Sequence, residues 1–444
     1  MPEAPVPPLR TIKDRLVRGG SGVFGLRVGA MGLGFFVDLL LTNGLGLFEY
    51  GLFSAGVSCL TLLLSVGVLG MNGAMLKIVP SEGMRGHHDL ARGMIRWSSR
   101  RMTIAGFVLA LGMATSAWLL RPFLNPVLVR VLLVLALFLP LQVVAVHRQS
   151  VLTALKHPVL GQFPEQVLRW AVFALSLLVT AIAGVQIDAV QVAWMYGGGI
   201  VAGLLFAHRW QSKQLRLQLP ASRVRFESNA WWWLALPMCW NTVMRMLGGR
   251  ADPFLLATMH GPDSAALYAI ADRLASLLQL GLMAIGVVVA PLIAERHAAG
   301  DRRELQAIAT LAAKGLAIYT LPLAAALVVT GPWILRIFGR DFSSAYPALV
   351  LLVAGRSLMC MAGCVGYLLS MTGHHKPLAA VMTTTAAIKL GLNLVLIPTF
   401  GNVGAAWATF CSLLITSLWL AALVRRRVGL DSTLLSAMRS APAC

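Results

Sequence analysis

The sequence predicts an all-α polytopic membrane protein of about twelve transmembrane helices, arranged as two pseudo-symmetric sets of six. Three observations predict it: an apolar composition, an alternation of basic loops, and an internal repeat. Of 444 residues, 58% are hydrophobic and 12% charged, with a mean hydropathy of +0.76. Soluble domains are roughly 45–50% apolar and about 25% charged, so a soluble enzyme and a disordered scaffold are both excluded. The net charge of +20, from 37 Lys and Arg against 17 Asp and Glu, would suggest nucleic acid on a soluble chain. Here the basic residues fall between long apolar runs, which is the charge asymmetry of a membrane protein.

A spanning helix needs about 20 mainly apolar residues. Such runs lie near 21–43, 51–75, 102–120, 127–147, 165–184 and 188–208, then near 229–250, 265–293, 309–330, 344–370, 378–397 and 403–424. Residues 1–20 read as a cytoplasmic tail, 21–210 as one six-helix bundle and 211–228 as a basic linker. Residues 229–424 read as the second bundle and 425–444 as a C-terminal tail. The N-terminal segment is Pro-rich and then basic (Arg10, Lys13, Arg15, Arg18); the apolar run after it is too long for a signal peptide, so it is expected to stay in place.

Basic residues fix the orientation. With Arg169 counted in the loop between the fourth and fifth runs, 27 Lys and Arg fall on one set of alternate loops and tails. The opposite loops hold four: Arg121, Arg130, Arg336 and Arg340. Both termini are therefore expected in the cytoplasm, and the number of spans is even. The polar stretch 78–100 has Leu90, Met94 and Trp97 on one helical side and Arg92, Arg96 and Arg100 on others, the pattern of a short amphipathic helix. Trp231-Trp232-Trp233 reads as an aromatic belt anchor.

The halves repeat at an offset of about 215: Gly51-Leu52-Phe53 falls on Ala266-Leu267-Tyr268, and Asp89-Leu90 on Glu304-Leu305. At an offset of 219, Thr153 and Pro158 fall on Thr372 and Pro377. Six runs per half keep both halves in one orientation, a parallel repeat of the kind transporters use. No G-x-x-x-x-G-K-[ST], H-E-x-x-H or G-x-S-x-G in strand-to-helix context occurs, which argues against an ATP-driven pump and a membrane hydrolase. The six cysteines (Cys59, Cys239, Cys360, Cys364, Cys411, Cys444) have no disulfide or zinc spacing, and no metal site or resident cofactor is expected.

Charged residues inside the runs cost about 2.5–3.5 kcal/mol each on the insertion scale, so they face a cavity or a partner. The basic set is Arg27, Arg245, Arg250, Arg273, Arg356 and Lys389; the acidic set is Asp38, Asp252 and Asp272. Arg27 and Asp38 share a helical face, as do the i,i+4 pairs Asn241/Arg245 and Lys389/Asn393. Arg250 and Asp252 read as residues of the membrane boundary. Basic excess predicts a positive cavity suited to an anionic substrate such as a lipid pyrophosphate. Arg27, Arg273, Arg356, Lys389, Arg245, Asn241 and Asn393 are its candidate lining, with Asp38 and Asp272 as candidates for coupling to protons or sodium.

Gly44 to Phe53, Leu69-Gly70-Met71-Asn72, Val79-Pro80, Ala294-Glu295 with Gly300-Asp301, Leu392 to Pro398 and Gly401 to Thr409 together resemble the polysaccharide biosynthesis proteins, the Wzx-type oligosaccharide flippases of the MOP (MATE-like) superfamily. One departure is Ala266-Leu267-Tyr268-Ala269, where the family carries a leading Gly. The resemblance implies a V-shaped pair of six-helix bundles around a central cavity. It implies export of a polyprenyl-pyrophosphate-linked glycan across a bacterial inner membrane, beside a polysaccharide polymerase and a chain-length regulator, with no nucleic acid involved. In the related lipid II flippases a basic residue in the first span and one in the eighth line the cavity; Arg27 and Arg273 occupy similar places. Two other readings stay open: a cation-coupled multidrug exporter of the same superfamily, and a membrane glycan polymerase or ligase.

Overall fold

The computed structural model describes residues 9–218, 224–299 and 301–430. All regular structure among them is helical: α1 (Leu9–Gly67), α2 (Met71–Met84), α3 (His88–Leu119), α4 (Pro126–Ala154), α5 (Pro158–Phe163), a π-helical turn (Pro164–Leu168), α6 (Arg169–Ile182) and α7 (Ala189–Gln218). There follow α8 (Ser228–Arg250), α9 (Asp252–Met259), α10 (Pro262–Ala275), α11 (Leu278–Ala298) and α12 (Arg302–Ile337). A 3₁₀ turn (Arg340–Ala345) leads into α13 (Tyr346–Met361), α14 (Val365–Met371) and α15 (His375–Arg427). Eight helices are long and apolar enough to cross a membrane, nine if the α10–α11 pair, bent by 43°, is one span. The chain is a multi-pass integral membrane protein.

The hydropathy runs and the helices differ instructively. α1 and α15 each hold two apolar runs, with a break at Gly46 (φ 75°) and Gly401 (φ 55°). Only glycine adopts such angles without strain, and a side chain on Gly401 would also strike the His260 ring. The stretch expected as a separate amphipathic helix is instead the end of α2, a turn, and the first three turns of α3, with Leu90, Met94 and Trp97 buried. Trp231 is no belt anchor. It is 3% exposed and packs edge-on against Trp97, with ring centroids 5.4 Å apart; Trp233, at 79% exposed, faces outward.

Apolar packing is uneven between the two faces of the molecule. The helices of the first half share one continuous cluster with α8, α9, α10, α13, the end of α12 remote from the basic loops and the middle of α15 around Gly401. There Tyr50 meets Phe342 (centroids 6.1 Å), and Asn43 donates to the Ile337 carbonyl at 3.4 Å. Gly51 lies against the Pro262 carbonyl, where a Cβ would collide. The basic-loop ends of α11, α12 and α15, with α14, form a second, separate cluster. The second half therefore joins the first mainly at the face away from the basic loops, with Trp97, Trp231 and Trp232 as a further junction near them.

Candidate functional site

A cavity of about 370 Å³ lies between the two halves. From the first half it takes Asp38, Tyr50, Ser54, Ser58 and Thr61 of α1, Gln142 of α4, Glu165 of the π turn, Arg169 and Trp170 of α6, and Tyr196 of α7. From the second half come Arg250 of α8, Pro253 of α9, and Asp272 and Arg273 of α10.

Three ion pairs organise the wall. Arg273 reaches across the halves to Asp38, Nε to Oδ2 2.9 Å, and Tyr50 donates to the other Asp38 oxygen at 3.3 Å. The guanidinium also lies over Phe35 and Trp170, 5.7 and 5.9 Å from the ring centroids. Its place depends on Gly34, where a methyl group would overlap it. The neighbouring Asp272 turns the other way, to Arg356 of α13 at 2.5 Å, and its backbone carbonyl accepts a second Arg356 N–H at 2.9 Å. Glu165 pairs with Arg169 at 3.6 Å and accepts from Gln142 at 2.9 Å. Glu165 sits on a π turn, with the Arg169 N–H donating to the Pro164 carbonyl. π turns recur at functional positions.

A fourth charged group is buried away from the cavity lining. Asp252 opens α9 and is 1% exposed. Lys389 contacts it at 2.7 Å, Asn393 donates at 2.8 Å and Tyr268 at 2.6 Å. Lys389 also donates to the Gly248 carbonyl at 2.6 Å. The i,i+4 spacing of Lys389 and Asn393 does place both on one face, and that face meets Asp252. The reading of Asp252 as a boundary residue is corrected: the hydropathy run ends there because α8 breaks at Ala251, and the chain stays inside the protein.

Of the expected lining, Arg273 alone lies in the cavity wall, together with Asp38 and Asp272, the candidates for ion coupling. Arg356 stands behind it, holding Asp272. Lys389 and Asn393 belong to the Asp252 cluster. Arg27, Asn241 and Arg245 are exposed and outside the lining. Arg27 and Asp38 share a helical face, yet Asp38 takes Arg273. The expected positive excess is smaller than the residue count suggests, because the wall holds Asp38, Glu165 and Asp272 against Arg169, Arg250 and Arg273. With Arg356 included there are four cations for three carboxylates. Arg250, placed at the boundary by its position in the run, is the member with no hydrogen bond or ion pair among the described residues. It acts on Asp38 through space. Arg169 is not a loop residue either; it is partly buried in α6, with Nη1 donating to the Tyr196 hydroxyl at 3.2 Å. Gln142, Glu165 and Tyr196 are not among the expected residues; the Glu165/Arg169 spacing of four inside an apolar run is a signal for Glu165 alone. Among the described residues no group of three or more His, Cys, Asp or Glu is placed to hold a metal ion.

Comparison with known proteins agrees with this architecture. The family described as polysaccharide biosynthesis protein matches residues 16–297, and the MatE family matches 237–399. No curated protein matches the chain. Among solved structures, an inward-facing multidrug resistance MATE transporter of the MOP superfamily superposes with a TM-score of 0.71 at 12% identity, covering 94% of this chain and 99% of that one. The lipid II flippase MurJ, in an inward closed conformation, gives 0.69 at 14%, covering 95% and 91%. A MOP superfamily transporter from Pyrococcus furiosus, described as having reversed polarity of the binding pocket, gives 0.64 at 14%, covering 94% and 96%. At these identities the structures establish the fold, and the family match over more than half of the chain establishes kinship. The chain is a transporter rather than an enzyme, and it belongs to the polysaccharide biosynthesis protein family on the fold of the MOP superfamily.

Proposed function

We propose that this protein flips a polyprenyl-pyrophosphate-linked oligosaccharide repeat unit from the cytoplasmic to the periplasmic leaflet of a bacterial inner membrane, for O-antigen, capsule or exopolysaccharide synthesis. The observation that carries this reading is the charge pairing in the cavity. Each lining carboxylate is held by an arginine, and Arg250 is left over, so the surplus is positive. A pyrophosphate fits that surplus. The exporter reading needs carboxylates free to hold cationic drugs, and these are not free. The volume lies within the ~300–1,000 Å³ range of small-molecule sites, while a lipid tail can stay in the bilayer beside the opening.

In this reading twelve spans form two bundles, 21–210 and 229–424, joined by the basic linker 211–228, with the basic face in the cytoplasm. The apolar seam at the opposite face closes the cavity there, so the state described faces the cytoplasm. Rocking one bundle against the other about the site gives alternating access. Protons or sodium act at Asp38 and Asp272, since neutralising either carboxylate frees an arginine. The polymerase and chain-length regulator receive the cargo afterwards.

The test is sidedness. A deletion strain should trap lipid-linked repeat units in the cytoplasmic leaflet, and the purified chain in proteoliposomes should move them across. Accumulation of unpolymerised units on the periplasmic side instead would assign the protein to polymerisation or ligation. Restored drug resistance in a pump-deficient strain would assign it to export.

A further inference from the structure

We infer that the first-half wall of the cavity is a subsite for the hydroxyl groups of a neutral sugar, distinct from the arginines that face the pyrophosphate. This rests on the flippase reading. Gln142 and Glu165 are 3% and 7% exposed, and both open onto the cavity. Their mutual hydrogen bond uses Gln142 Nε2 and Glu165 Oε2. It leaves Gln142 Oε1, Glu165 Oε1 and Arg169 Nε buried with no partner among the described residues. Each such group costs free energy while it stays unpaired. Two acceptors and one donor side by side therefore call for a ligand that both gives and takes hydrogen bonds. A hydroxyl does both, and a sugar carries several of them.

The alternatives fit less well. A metal ion wants oxygen ligands and net negative charge, but the Arg169 guanidinium lies 3.6 Å from Glu165 and cancels it. An acidic sugar would set a second carboxylate against Glu165. The basic excess in the sequence points to an anionic substrate; at this wall the Glu165–Arg169 pair favours a neutral group.

The experiment measures binding of three synthetic lipids to the full-length protein in detergent. All share one polyprenyl chain and carry the bare pyrophosphate, pyrophosphate-linked glucose or pyrophosphate-linked glucuronic acid. The glucose lipid is expected to bind about ten-fold more tightly than the bare lipid, and the glucuronate lipid no more tightly than the bare one. Gln142→Leu is expected to bring the glucose-to-bare ratio close to one. Glu165→Gln, which keeps the shape of the site, should lower that ratio and lessen the discrimination against glucuronate. Equal binding of all three lipids by the wild type overturns the subsite and leaves the flippase reading standing; binding of none overturns the flippase reading itself. Ratios unchanged in both variants, with sodium-dependent thermal stabilisation lost instead, would assign the acceptors to a cation and overturn the proposal.

Discussion

Lys389→Met tests whether this lysine is a structural counter-ion or a ligand for cargo. Its ammonium is 2.7 Å from Asp252 Oδ2 and 2.6 Å from the Gly248 carbonyl, and both charged side chains are almost wholly enclosed. Removing one partner of a buried pair costs about 3–5 kcal/mol, because the survivor is left charged and unsolvated. Asn393 and Tyr268 still donate to Asp252, which favours the lower end, about 3 kcal/mol. Unfolding entropy is about 2.1 cal/mol/K per residue. Over 444 residues that cost lowers Tm by roughly 3 °C, and by about twice as much if the second half unfolds alone. The double variant Lys389→Met/Asp252→Asn removes both charges and should recover at least half of the loss, since a neutral pair of similar volume carries no desolvation penalty. Intrinsic-fluorescence melting of the detergent-solubilised protein reads both. The reasoning is refuted if the single variant melts with the wild type, or if the double variant is no better than the single. A variant that melts normally but no longer binds the pyrophosphate lipid would return Lys389 to the cargo site.

Arg273→Ala should lower lipid translocation at least ten-fold in proteoliposomes, because it removes a cavity cation and strands Asp38, whereas Arg27→Ala, outside the lining, should change it less than two-fold. Gly34→Ala should reproduce much of the Arg273→Ala defect, since its methyl group occupies the space of the guanidinium; wild-type transport there would show that Arg273 need not lie against α1. Gly51→Val should prevent the close approach to the Pro262 carbonyl and open the seam at the face away from the basic loops. On a cysteine-free background, Ser54→Cys in the cavity should then react faster with an impermeant maleimide added from that side, and an unchanged rate would argue that Gly51 does not set the closed state.

Hydropathy locates the apolar runs because every backbone group in a bilayer must be satisfied within a helix, so the spans are written locally. The breaks in α1 and α15 are likewise marked by glycines between two runs. Pairing is not local. The spacing of Lys389 and Asn393 shows that they share a face, but not that Asp252, 137 positions before Lys389, waits opposite. Arg169 looks like a loop residue because Pro158, Pro164 and Glu165 make its neighbourhood read as polar; the π turn that carries Glu165 into the cavity wall has no hydropathy signature. Arg250 and Asp252 are adjacent to a run's end, where a linear profile places a membrane boundary, and a break between packed helices looks the same. Counting basic against acidic residues overstates the positive charge of the cavity, since its lining holds three of each, Arg356 stands behind it and Lys389 belongs to a cluster outside it.

The two neighbours Asp272 and Arg273 suggest how cargo and motion are linked. Asp272 pairs within the second half, through Arg356, and so travels with its own bundle. Arg273 pairs across to the first half, through Asp38, and a rocking motion must rearrange that contact. The pair is partly exposed, at 24% and 13% of the side-chain surface, so its net contribution is small compared with a fully enclosed one. A ligand moves such an equilibrium only by binding one state better than the other. A pyrophosphate drawn to Arg250 and Arg273 competes with Asp38 for the same guanidinium, and protonation of Asp38 weakens the contact from the other side. Asp38→Asn should therefore favour, without cargo, the state open at the face away from the basic loops, seen as increased labelling of Ser54→Cys from that face on the cysteine-free background. If labelling instead stays at the wild-type rate, the cross-half pair is not what holds the cavity closed on that side, and the apolar seam at Gly51, Pro262, Tyr50 and Phe342 holds it alone.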